Sequence, residues 1–587
     1  MRERPPIHGG PGSVSPVNGA SFSRPVVYGR THRAFVSGMV VSLLLVTMAG
    51  IASAQSVPGA HYRFARSITG WLPTWLDKNG SGDGWKTIQS NADMMDEVSF
   101  FAFEADPQTG NLTPPGKNMD YPSIVQQVGW LHTRETAALF TVTQFNHVHD
   151  MLADPARLDH LIANIVSTAN LYGFDGVDID FEDFKKGDPR DTGRYTDFVN
   201  KLADAMHAQT DAFGFSKMAI ATVLSQTQRG SFSYIDYTAL GRSRLDRIRV
   251  MAYDDYYPGS KTAGAGAPLN WYLQVAGYIK SLEVPEWKFT LGIPAYAYQW
   301  AVNAPDDWTT LGRGTSITYP QAVGLIAEHN ASRVWDKTSA TPYFTYQAMY
   351  MPPKPAAPPA NSPPVDQVTA YSNPQKPDMS IQPDPSATLA ALLAPNAVPT
   401  VDTQSTTASS PPPQPGIRTW VAYYEDAESW KMKVQNVLLA SQLNGLSEWA
   451  IGYEDPASWP MLQHSLAPLY PIYGAMGLCY WRFGGGARFG DCLGPEHSAG
   501  IAQMGTLDGY AGREQDFEYA RIYYKWGMPR AYQLDGNILN QYIAAGGPSG
   551  PLGFPISDPV ESPDGKLAVQ FEHGTLSTQP APAPEVA

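Results

Sequence analysis

Short apolar runs alternate with longer amphipathic segments along the chain from Tyr62 onward. The short runs are rich in β-branched and aromatic residues, which is typical of strands buried in a parallel sheet. The longer segments, such as Leu158–Ala169 and Tyr195–Met206, repeat apolar residues every three or four positions and are predicted to be helices. Eight strands in such an alternation predict an α/β fold, the (β/α)8 TIM barrel. The predicted strands are Ser67–Trp71, Glu97–Phe103, Ala137–Thr143, Gly173–Phe181, Met218–Leu224, Arg247–Tyr253, Phe289–Pro294 and Leu446–Ile451.

A long stretch separates the seventh predicted strand from the eighth. Residues 352–416 within it are dense in Pro, Ala, Ser and Thr, and such a composition favours a disordered or extended segment. We therefore expect an insertion at the rim of the barrel. Its flanks, Pro342–Tyr346 and Arg418–Tyr424, are predicted to pair as a hairpin.

The amino-acid composition changes after about Pro471, where Gly and Tyr become frequent. We expect the barrel to span residues 62–470 and a separate small module to span residues 477–577. Residues 578–587 are rich in Pro and Ala and are predicted to be a disordered tail.

The N-terminus has the plan of a secretory signal peptide, predicted to span residues 1–54. An uncharged apolar stretch from Ala34 to Ala54 follows Arg30 and Arg33 and ends in Ala-Ser-Ala, which predicts cleavage after Ala54. An uncleaved membrane anchor is the alternative, because the stretch is nearly long enough to span a bilayer. Either way the protein is expected to be secreted or associated with the cell envelope.

Charge and cysteine content narrow the classes of partner. The 587 residues carry a formal charge of -14. This argues against a nucleic-acid partner, because a protein that binds nucleic acid usually has a surface stripe of basic residues. Cys479 and Cys492 are the only cysteines, and in an exported protein they predict a local disulfide, with buried free thiols as the alternative. No metal site is expected, because two thiolates without a nearby His pair cannot complete a tetrahedral shell.

The segment Gly173–Glu182 carries the strongest chemical signal. Side chains alternate along a strand, so Asp178, Asp180 and Glu182 share one face while apolar residues occupy the other. Like charges buried a few ångströms apart raise the pKa of at least one group, which suits a catalytic acid at the C-terminal end of a barrel strand. Asp175 has the opposite parity and is predicted to be structural. A calcium loop or a solvated acidic loop would fit poorly with the apolar spacers.

Residues Asp175–Glu182 resemble the D-G-x-D-x-D-x-E signature of glycoside hydrolase family 18, the chitinase family. Met251–Asp254 is similar to the M-x-Y-D motif of that family, Leu291–Tyr296 resembles its seventh strand, and Trp449 stands where its eighth strand carries a sugar-stacking tryptophan. The resemblance covers roughly residues 62–470.

The resemblance implies substrate-assisted, retaining cleavage of β-1,4-linked N-acetylglucosamine polymers, without metal or organic cofactor. The catalytic residues it implies are Glu182 as the acid, Asp180 to orient the acetamido group, Asp178 to share a proton with Asp180, and Tyr253 to hydrogen-bond the acetamido carbonyl. The substrate-binding residues it implies are Asp254, Met251 and Trp449.

The third strand departs from the S-x-G-G pattern of typical chitinases and reads Phe140–Asn146. Together with Asp96–Leu112, Tyr195–Phe198 and Tyr253–Pro258, this strand is more similar to the bacterial branch that acts on spore or cell-wall peptidoglycan. The expected polysaccharide partner is therefore chitin or peptidoglycan. A catalytically inactive sugar-binding relative on the same fold is the alternative from another class of protein.

The C-terminal module contains Leu552–Pro555 and Phe571–Gly574, which resemble the LGFP repeats of actinobacterial cell-wall proteins. The resemblance implies a tether to cell-wall glycan, whereas a plain packing turn would explain the same residues. If the module alone carried the function, the barrel would serve only as a spacer. The protein is expected to be a monomer.

Overall fold

The computed structural model describes residues 61–73, 83–113, 121–145, 147–183, 188–228, 234–352, 415–506, 509–561 and 566–578. The chain divides into two units, Met1–Ser56 and Val57–Ala587, and all described residues belong to the second. The predicted signal peptide, most of the predicted rim insertion and nearly all of the predicted tail therefore lie outside the described residues. Within the described ranges, no helix is both long and apolar enough to cross a membrane.

The strands of the described residues are numbered here in chain order. They are β1 (Ser67–Pro73), β2 (Glu97–Ala105), β3 (Leu112–Thr113), β4 (Ala137–Phe145), β5 (Gly176–Glu182), β6 (Met218–Leu224), β7 (Arg247–Met251), β8 (Phe289–Pro294), β9 (Tyr296–Ala304), β10 (Asp307–Thr310), β11 (Thr315–Thr318), β12 (Val334–Asp336), β13 (Thr341–Tyr350), β14 (Gly416–Tyr423), β15 (Gly445–Trp449), β16 (His497–Ala502), β17 (Tyr510–Asp516), β18 (Ala520–Lys525), β19 (Tyr532–Asp535), β20 (Val560–Glu561), β21 (Leu567–Phe571) and β22 (Gly574–Ser577).

The helices of the same residues are given by their bounds. The α-helices are Gly84–Asn91, Tyr121–His132, Val148–Leu152, Pro155–Tyr172, Asp191–His207, Tyr237–Arg242, Leu269–Lys280, Tyr319–Glu328, Ala427–Lys433, Ser458–Leu466, Gly474–Arg482, Gly485–Phe489 and Gly536–Ala544. Short 3-10 turns occupy Ala92–Met94, Glu286–Lys288 and Gly547–Ser549, and a π-helical turn occupies Val434–Leu438.

The parallel strands β1, β2, β4 to β8 and β15 close into a barrel, because β1 pairs with both β2 and β15. The short β3 adds to β2 in antiparallel orientation. This confirms the predicted α/β fold of the (β/α)8 type. Two predicted strands, Met218–Leu224 and Phe289–Pro294, have the observed bounds.

The strand that carries the acidic residues begins three residues later than predicted. Gly173 adopts a φ of +78° and caps the helix Pro155–Tyr172, its N–H bonding the carbonyl of Ala169. Glycine tolerates this left-handed conformation, so Gly173 ends the helix rather than opening the strand. Strand β5 then starts at Gly176.

The N-terminal end of the barrel is closed by the helix Gly474–Arg482. Trp481 is 4% exposed and packs into a cluster with Ala137 and Leu139 of β4 and Met218 and Ile220 of β6. The predicted start of the C-terminal module, residue 477, falls inside this helix. The predicted domain boundaries stay predictions.

The stretch between β8 and β15 contains more structure than the sequence suggested. Strands β10, β9, β14, β13 and β12 form one sheet, to which β11 adds through β9. Within it β13 pairs with β14, from Tyr343 opposite Tyr423 to Tyr350 opposite Gly416. The predicted hairpin of the two flanks is thereby confirmed, while β9 to β12 and the helix Tyr319–Glu328 were not foreseen.

The last part of the chain holds two small antiparallel sheets, β16 to β19 and β20 to β22. Phe554, in the LGFP-like segment, is 2% exposed and belongs to the core of this part. Gly553 has a φ of +70°, and its carbonyl accepts a hydrogen bond from Tyr542. The tetrapeptide thus forms a buried turn.

The predicted disulfide is wrong in this structure, because Cys479 and Cys492 are both free and buried. The Sγ atom of Cys492 lies 3.2 Å from the carbonyl oxygen of Gly494 and 3.2 Å from Nε2 of Gln515. The second thiol belongs to the helix Gly474–Arg482 and is fully buried there. Each thiol is therefore accommodated separately, Cys492 by polar contacts and Cys479 by apolar packing.

Candidate active site

Strand β5 places the three predicted carboxylates in line along the inside of the barrel. Asp178 and Asp180 are buried, and Glu182, the last residue of the strand, is partly exposed. Asp175, just before the strand, bonds elsewhere: its Oδ2 lies 2.8 Å from Nε2 of His132 and accepts the N–H of Ala138. The line of carboxylates therefore runs toward the C-terminal mouth of the barrel, and Asp175 has the structural position that its parity predicts.

Asp178 lies deepest of the three and is surrounded by hydrogen-bond donors. Its oxygens accept hydrogen bonds from Trp71 Nε1 at 2.8 Å, Thr141 Oγ1 at 3.2 Å, Thr222 Oγ1 at 2.7 Å and Arg249 Nη1 at 3.0 Å. Burial raises the pKa of Asp178 to about 6, against the hydrogen bonds from Thr222, Trp71 and Thr141, which lower it. Donors from four different strands thus converge on one carboxylate.

Arg249 was missed by sequence reasoning, although its parity within the predicted strand Arg247–Tyr253 matches that of Met251. It forms an ion pair with Glu97, donates to Ser99 Oγ at 2.7 Å, and its guanidinium carbon lies 5.1 Å from the ring centroid of Trp71. Burial lowers the pKa of Arg249 to about 9, so it stays charged at neutral pH. A buried cation therefore lies beneath the acidic line.

Asp180 and Glu182 differ from Asp178 in having few donors. Oδ1 of Asp180 is buried and has no hydrogen-bond partner among the described residues. Burial raises the pKa of Asp180 well above its usual value, and the charges of Glu182 and Asp178 add to the effect. Burial also raises the pKa of Glu182 to about 7, with the charge of Asp254 adding to it. A carboxyl at the mouth that keeps its proton near neutral pH can act as a general acid.

Asp254 follows β7 in a strained backbone conformation, with a φ of +64°. Its Oδ1 accepts hydrogen bonds from the hydroxyls of Tyr296 at 2.6 Å and Tyr298 at 2.8 Å. Burial raises the pKa of Asp254 to about 6, against these two hydrogen bonds. The alternation of Tyr296 and Tyr298 places both side chains on one face of β9 and could be read from the sequence. That both hydroxyls bind Asp254 could be seen only in the fold.

Tyr253 precedes Asp254 and is nearly buried, with its ring 6.0 Å from that of Tyr296. A Cβ atom on Gly292 would lie 2.8 Å from the Tyr253 ring, so the glycine makes room for the tyrosine. Met251, the last residue of β7, is partly buried beside the same mouth.

Trp449 is the last residue of β15 and is partly buried. Its ring packs edge-on against Phe101 at 4.7 Å and against Trp71 at 5.8 Å. The structure thus brings the predicted residues of β5, β7 and β15 to the same end of the barrel. In the described ranges, no group of three or more His, Cys, Asp or Glu residues has the arrangement of a metal site.

Comparison with known proteins finds a family similarity that includes β5 and β7 of this site. Residues 143–352 match the family model of glycosyl hydrolases family 18. Among similar proteins, the cortical fragment-lytic enzyme of Bacillus subtilis is 29% identical over 198 residues, covering 33% of this chain and 43% of that protein. Chitinase A1 of Niallia circulans is 24% identical over 310 residues, covering 46% of this chain and 40% of that protein. The chain therefore spans less than half of the length of these two relatives.

Similar solved structures include the spore cortex-lytic enzyme SleL of Bacillus cereus, at 18% identity and a TM-score of 0.47 over 69% of this chain and 75% of that one. A chitinase of Chromobacterium violaceum matches at 20% identity and a TM-score of 0.48 over 68% of this chain and 98% of that one. The family match includes the line of carboxylates on β5. Residues 143–352, which carry Asp178, Asp180 and Glu182, therefore match glycoside hydrolase family 18.

Proposed function

We propose that this protein is a secreted glycoside hydrolase that cleaves β-1,4-linked N-acetylglucosamine polymers by substrate-assisted, retaining catalysis. The observation that carries the proposal is the line Asp178, Asp180 and Glu182, buried at its lower end and open at the mouth of the barrel. A scheme with two carboxylates, one as nucleophile, is unnecessary when the substrate supplies its own acetamido group.

Glu182 protonates the glycosidic oxygen that leaves, and its pKa of about 7 supports this role, because the group is then largely protonated at neutral pH and below. The 2-acetamido oxygen of the sugar attacks the anomeric carbon of the same sugar, forming an oxazolinium ion. Water, deprotonated by Glu182, then opens this ion, and the configuration at the anomeric carbon is retained.

Asp180 holds the acetamido group, and the lack of a protein partner for its Oδ1 among the described residues supports this role. Asp178 shares a proton with Asp180, because two buried carboxylates side by side do not both ionise. Tyr253 donates its hydroxyl hydrogen to the acetamido carbonyl.

Asp254 and Met251 contact the distorted sugar, and Trp449 forms the floor beneath it. The edge-on packing of Trp449 against Phe101 and Trp71 holds the indole in a fixed orientation, which favours stacking with a sugar ring at low entropic cost.

The substrate is chitin or peptidoglycan, both of which contain β-1,4-linked N-acetylglucosamine. The names of the relatives, a cortical fragment-lytic enzyme and a chitinase, support each choice equally. Release of reducing ends from chitin oligosaccharides and from purified peptidoglycan tests the proposal and identifies the substrate.

Glu182→Gln removes the acid while nearly preserving its volume, and it is expected to lower kcat by several orders of magnitude. Glu328→Gln is the matched control, since the Glu328 side chain is 71% exposed at the end of the helix Tyr319–Glu328. Retained sugar binding without hydrolysis of either polymer by the unaltered protein would instead favour the carbohydrate-binding alternative.

The C-terminal module is proposed as a tether to cell-wall glycan, which would raise the local concentration of substrate. Because the LGFP-like turn is buried, the glycan is assigned to a cavity of about 920 Å³ lined by Arg488, Tyr519 and Asn540 among others. Tyr519 is 60% exposed, so Tyr519→Ala should weaken sedimentation with purified cell walls without changing the melting temperature. Unchanged sedimentation would exclude this cavity as the tether.

A further inference from the structure

The barrel interior contains a buried ion pair that the mechanism above does not use. Glu97, the first residue of β2, and Arg249, in the middle of β7, have side chains only 3% and 1% exposed. Arg249 forms an ion pair with Glu97 on one side and donates a hydrogen bond to Asp178 on the other. The pair therefore connects directly to the lower end of the line of carboxylates.

Stability alone is a weak explanation for this arrangement. Removing two charges from water costs free energy that their attraction often fails to recover, and an apolar pair of similar volume is frequently as stable. The contact between Arg249 and Asp178, at 3.0 Å, is instead a charge-assisted hydrogen bond to a group of the site. This favours an electrostatic role.

The donors around Asp178 determine which of its oxygens can carry a proton. Oδ2 accepts from Trp71 Nε1 and from Arg249 Nη1, and both of these nitrogens can only donate. A proton on Oδ2 would clash with both donors. Oδ1 of Asp180, by contrast, has no donor among the described residues.

We propose that Arg249, itself balanced by Glu97, is a positioning residue that keeps Asp178 ionised, so that the proton shared by the two aspartates resides on Asp180. Asp178 then remains a hydrogen-bond acceptor for Trp71 and Arg249. The inference rests on the proposed function for its catalytic consequence, whereas the ionisation of Asp178 can be observed in the protein alone.

The groups that face Asp178 come from several elements, and only some of them can change charge. The titratable or charged groups are Asp180 on the same strand, Arg249 from β7, Glu97 through Arg249, and Tyr195, on the helix Asp191–His207, whose pKa is raised by burial and by the charges of Asp180 and Asp178. The neutral polar groups are those of Trp71, Thr141 and Thr222. Among the described residues, Arg249 is thus the cation in direct contact with Asp178.

The two members of the ion pair should move the ionisation of Asp178 in opposite directions. Arg249→Gln removes a cation that favours the ionised form, so the pKa of Asp178 should rise by about 1 to 3. Glu97→Gln leaves Arg249 without its counter-charge, so the pKa of Asp178 should fall. A purely structural role would instead predict loss of stability in both variants and no opposite shifts.

The indole N–H of Trp71 provides a readout that does not depend on activity. Because Trp71 Nε1 donates to Asp178 Oδ2 at 2.8 Å, its nitrogen and proton NMR signals should titrate with Asp178. The experiment uses the full chain labelled with 15N-tryptophan, with the signal assigned from Trp71→Phe. The expected result is a midpoint at higher pH in Arg249→Gln and at lower pH in Glu97→Gln, with Arg249→Lys closest to the unaltered protein.

The acidic limb of the pH profile of kcat/KM on N-acetylglucosamine oligosaccharides is the functional readout. It should shift upward in Arg249→Gln and downward in Glu97→Gln, since uptake of a second proton by the two aspartates abolishes activity. If the unaltered protein is inactive, the proposed function fails, while the Trp71 titration still decides the inference.

The double variant Glu97→Gln/Arg249→Gln replaces the single variants in the experiment if the one unpaired buried charge that each of them retains prevents folding. It removes both charges, and its Trp71 midpoint should still rise, because the lost cation contacts Asp178 directly. Melting temperatures establish that each variant is folded. Equal midpoints in folded variants, or shifts in the same direction for Glu97→Gln and Arg249→Gln, would overturn the proposal.

Discussion

The pH dependence of Glu182 provides the sharpest test of the proposed chemistry. A general acid must be protonated before it acts, so kcat/KM is expected to fall as the pH rises through the pKa of Glu182, at about 7. Well above that pH the loss should be about tenfold for each further pH unit. The perturbation is Asp254→Asn, which removes the neighbouring charge and keeps the volume.

The structure bounds the effect of that substitution. The pKa of Glu182 rises from its ordinary 4.5 to about 7, and burial is a larger cause of this rise than the charge of Asp254. Asp254 therefore accounts for less than half of the rise, which is about one pH unit at most. In Asp254→Asn the alkaline limb should move to lower pH by up to that amount and remain well above 4.5.

The assay is the pH profile of kcat/KM with a soluble N-acetylglucosamine oligosaccharide, measured for the unaltered protein, Asp254→Asn and the surface control Glu328→Gln. Asp254→Asn will also lower kcat, because Asp254 is proposed to contact the sugar, so the position of the limb is the decisive quantity. An alkaline limb that stays in place in Asp254→Asn, or full activity retained to pH 9, about two units above the pKa of Glu182, would refute the assignment of Glu182 as the acid.

Three further predictions concern binding, stability and redox state. Trp449→Ala should raise KM for N-acetylglucosamine oligosaccharides by about tenfold, the equivalent of ~1.4 kcal/mol of lost stacking, and an unchanged KM would contradict its role as the floor. Trp481→Ala should reduce the free energy of unfolding in urea by ~3–5 kcal/mol. A change below ~1 kcal/mol would show that the packing at the N-terminal end of the barrel does not depend on Trp481. Reductant should leave the melting temperature unchanged, because Cys479 and Cys492 are free thiols; a decrease would indicate that they are bonded in solution.

The barrel strands and the line of carboxylates could be predicted because both depend on local alternation. A buried parallel strand needs a run of apolar residues whatever lies beside it, and parity alone puts Asp178, Asp180 and Glu182 on one face. Likewise the predicted helices Leu158–Ala169 and Tyr195–Met206 lie within observed helices, because their apolar period is set by the sheet they cover.

Features that depend on closure of the barrel could not be predicted in this way. Glu97 and Arg249 are separated by 152 positions in the sequence, and only the pairing of β1 with both β2 and β15 brings them to a common interior. The disulfide prediction failed for a related reason: the count of cysteines and the expected compartment favour a bond, but the orientation of each side chain decides it. The sheet of β9 to β14 was obscured by the Pro-rich stretch that divides it.

The three carboxylates of β5 are of similar residue type and share one strand, so the differences between them come from their neighbours. The donors of β1, β4, β6 and β7 all reach Asp178, so the lowest group is the one best stabilised as an anion. The middle group, Asp180, has burial without a donor at Oδ1, and the uppermost, Glu182, has burial and a like charge beside it. The pKa is therefore lower for Asp178, at about 6, than for Glu182, at about 7. Under the proposed function the proton is delivered from the upper end of the line, where a polysaccharide can enter.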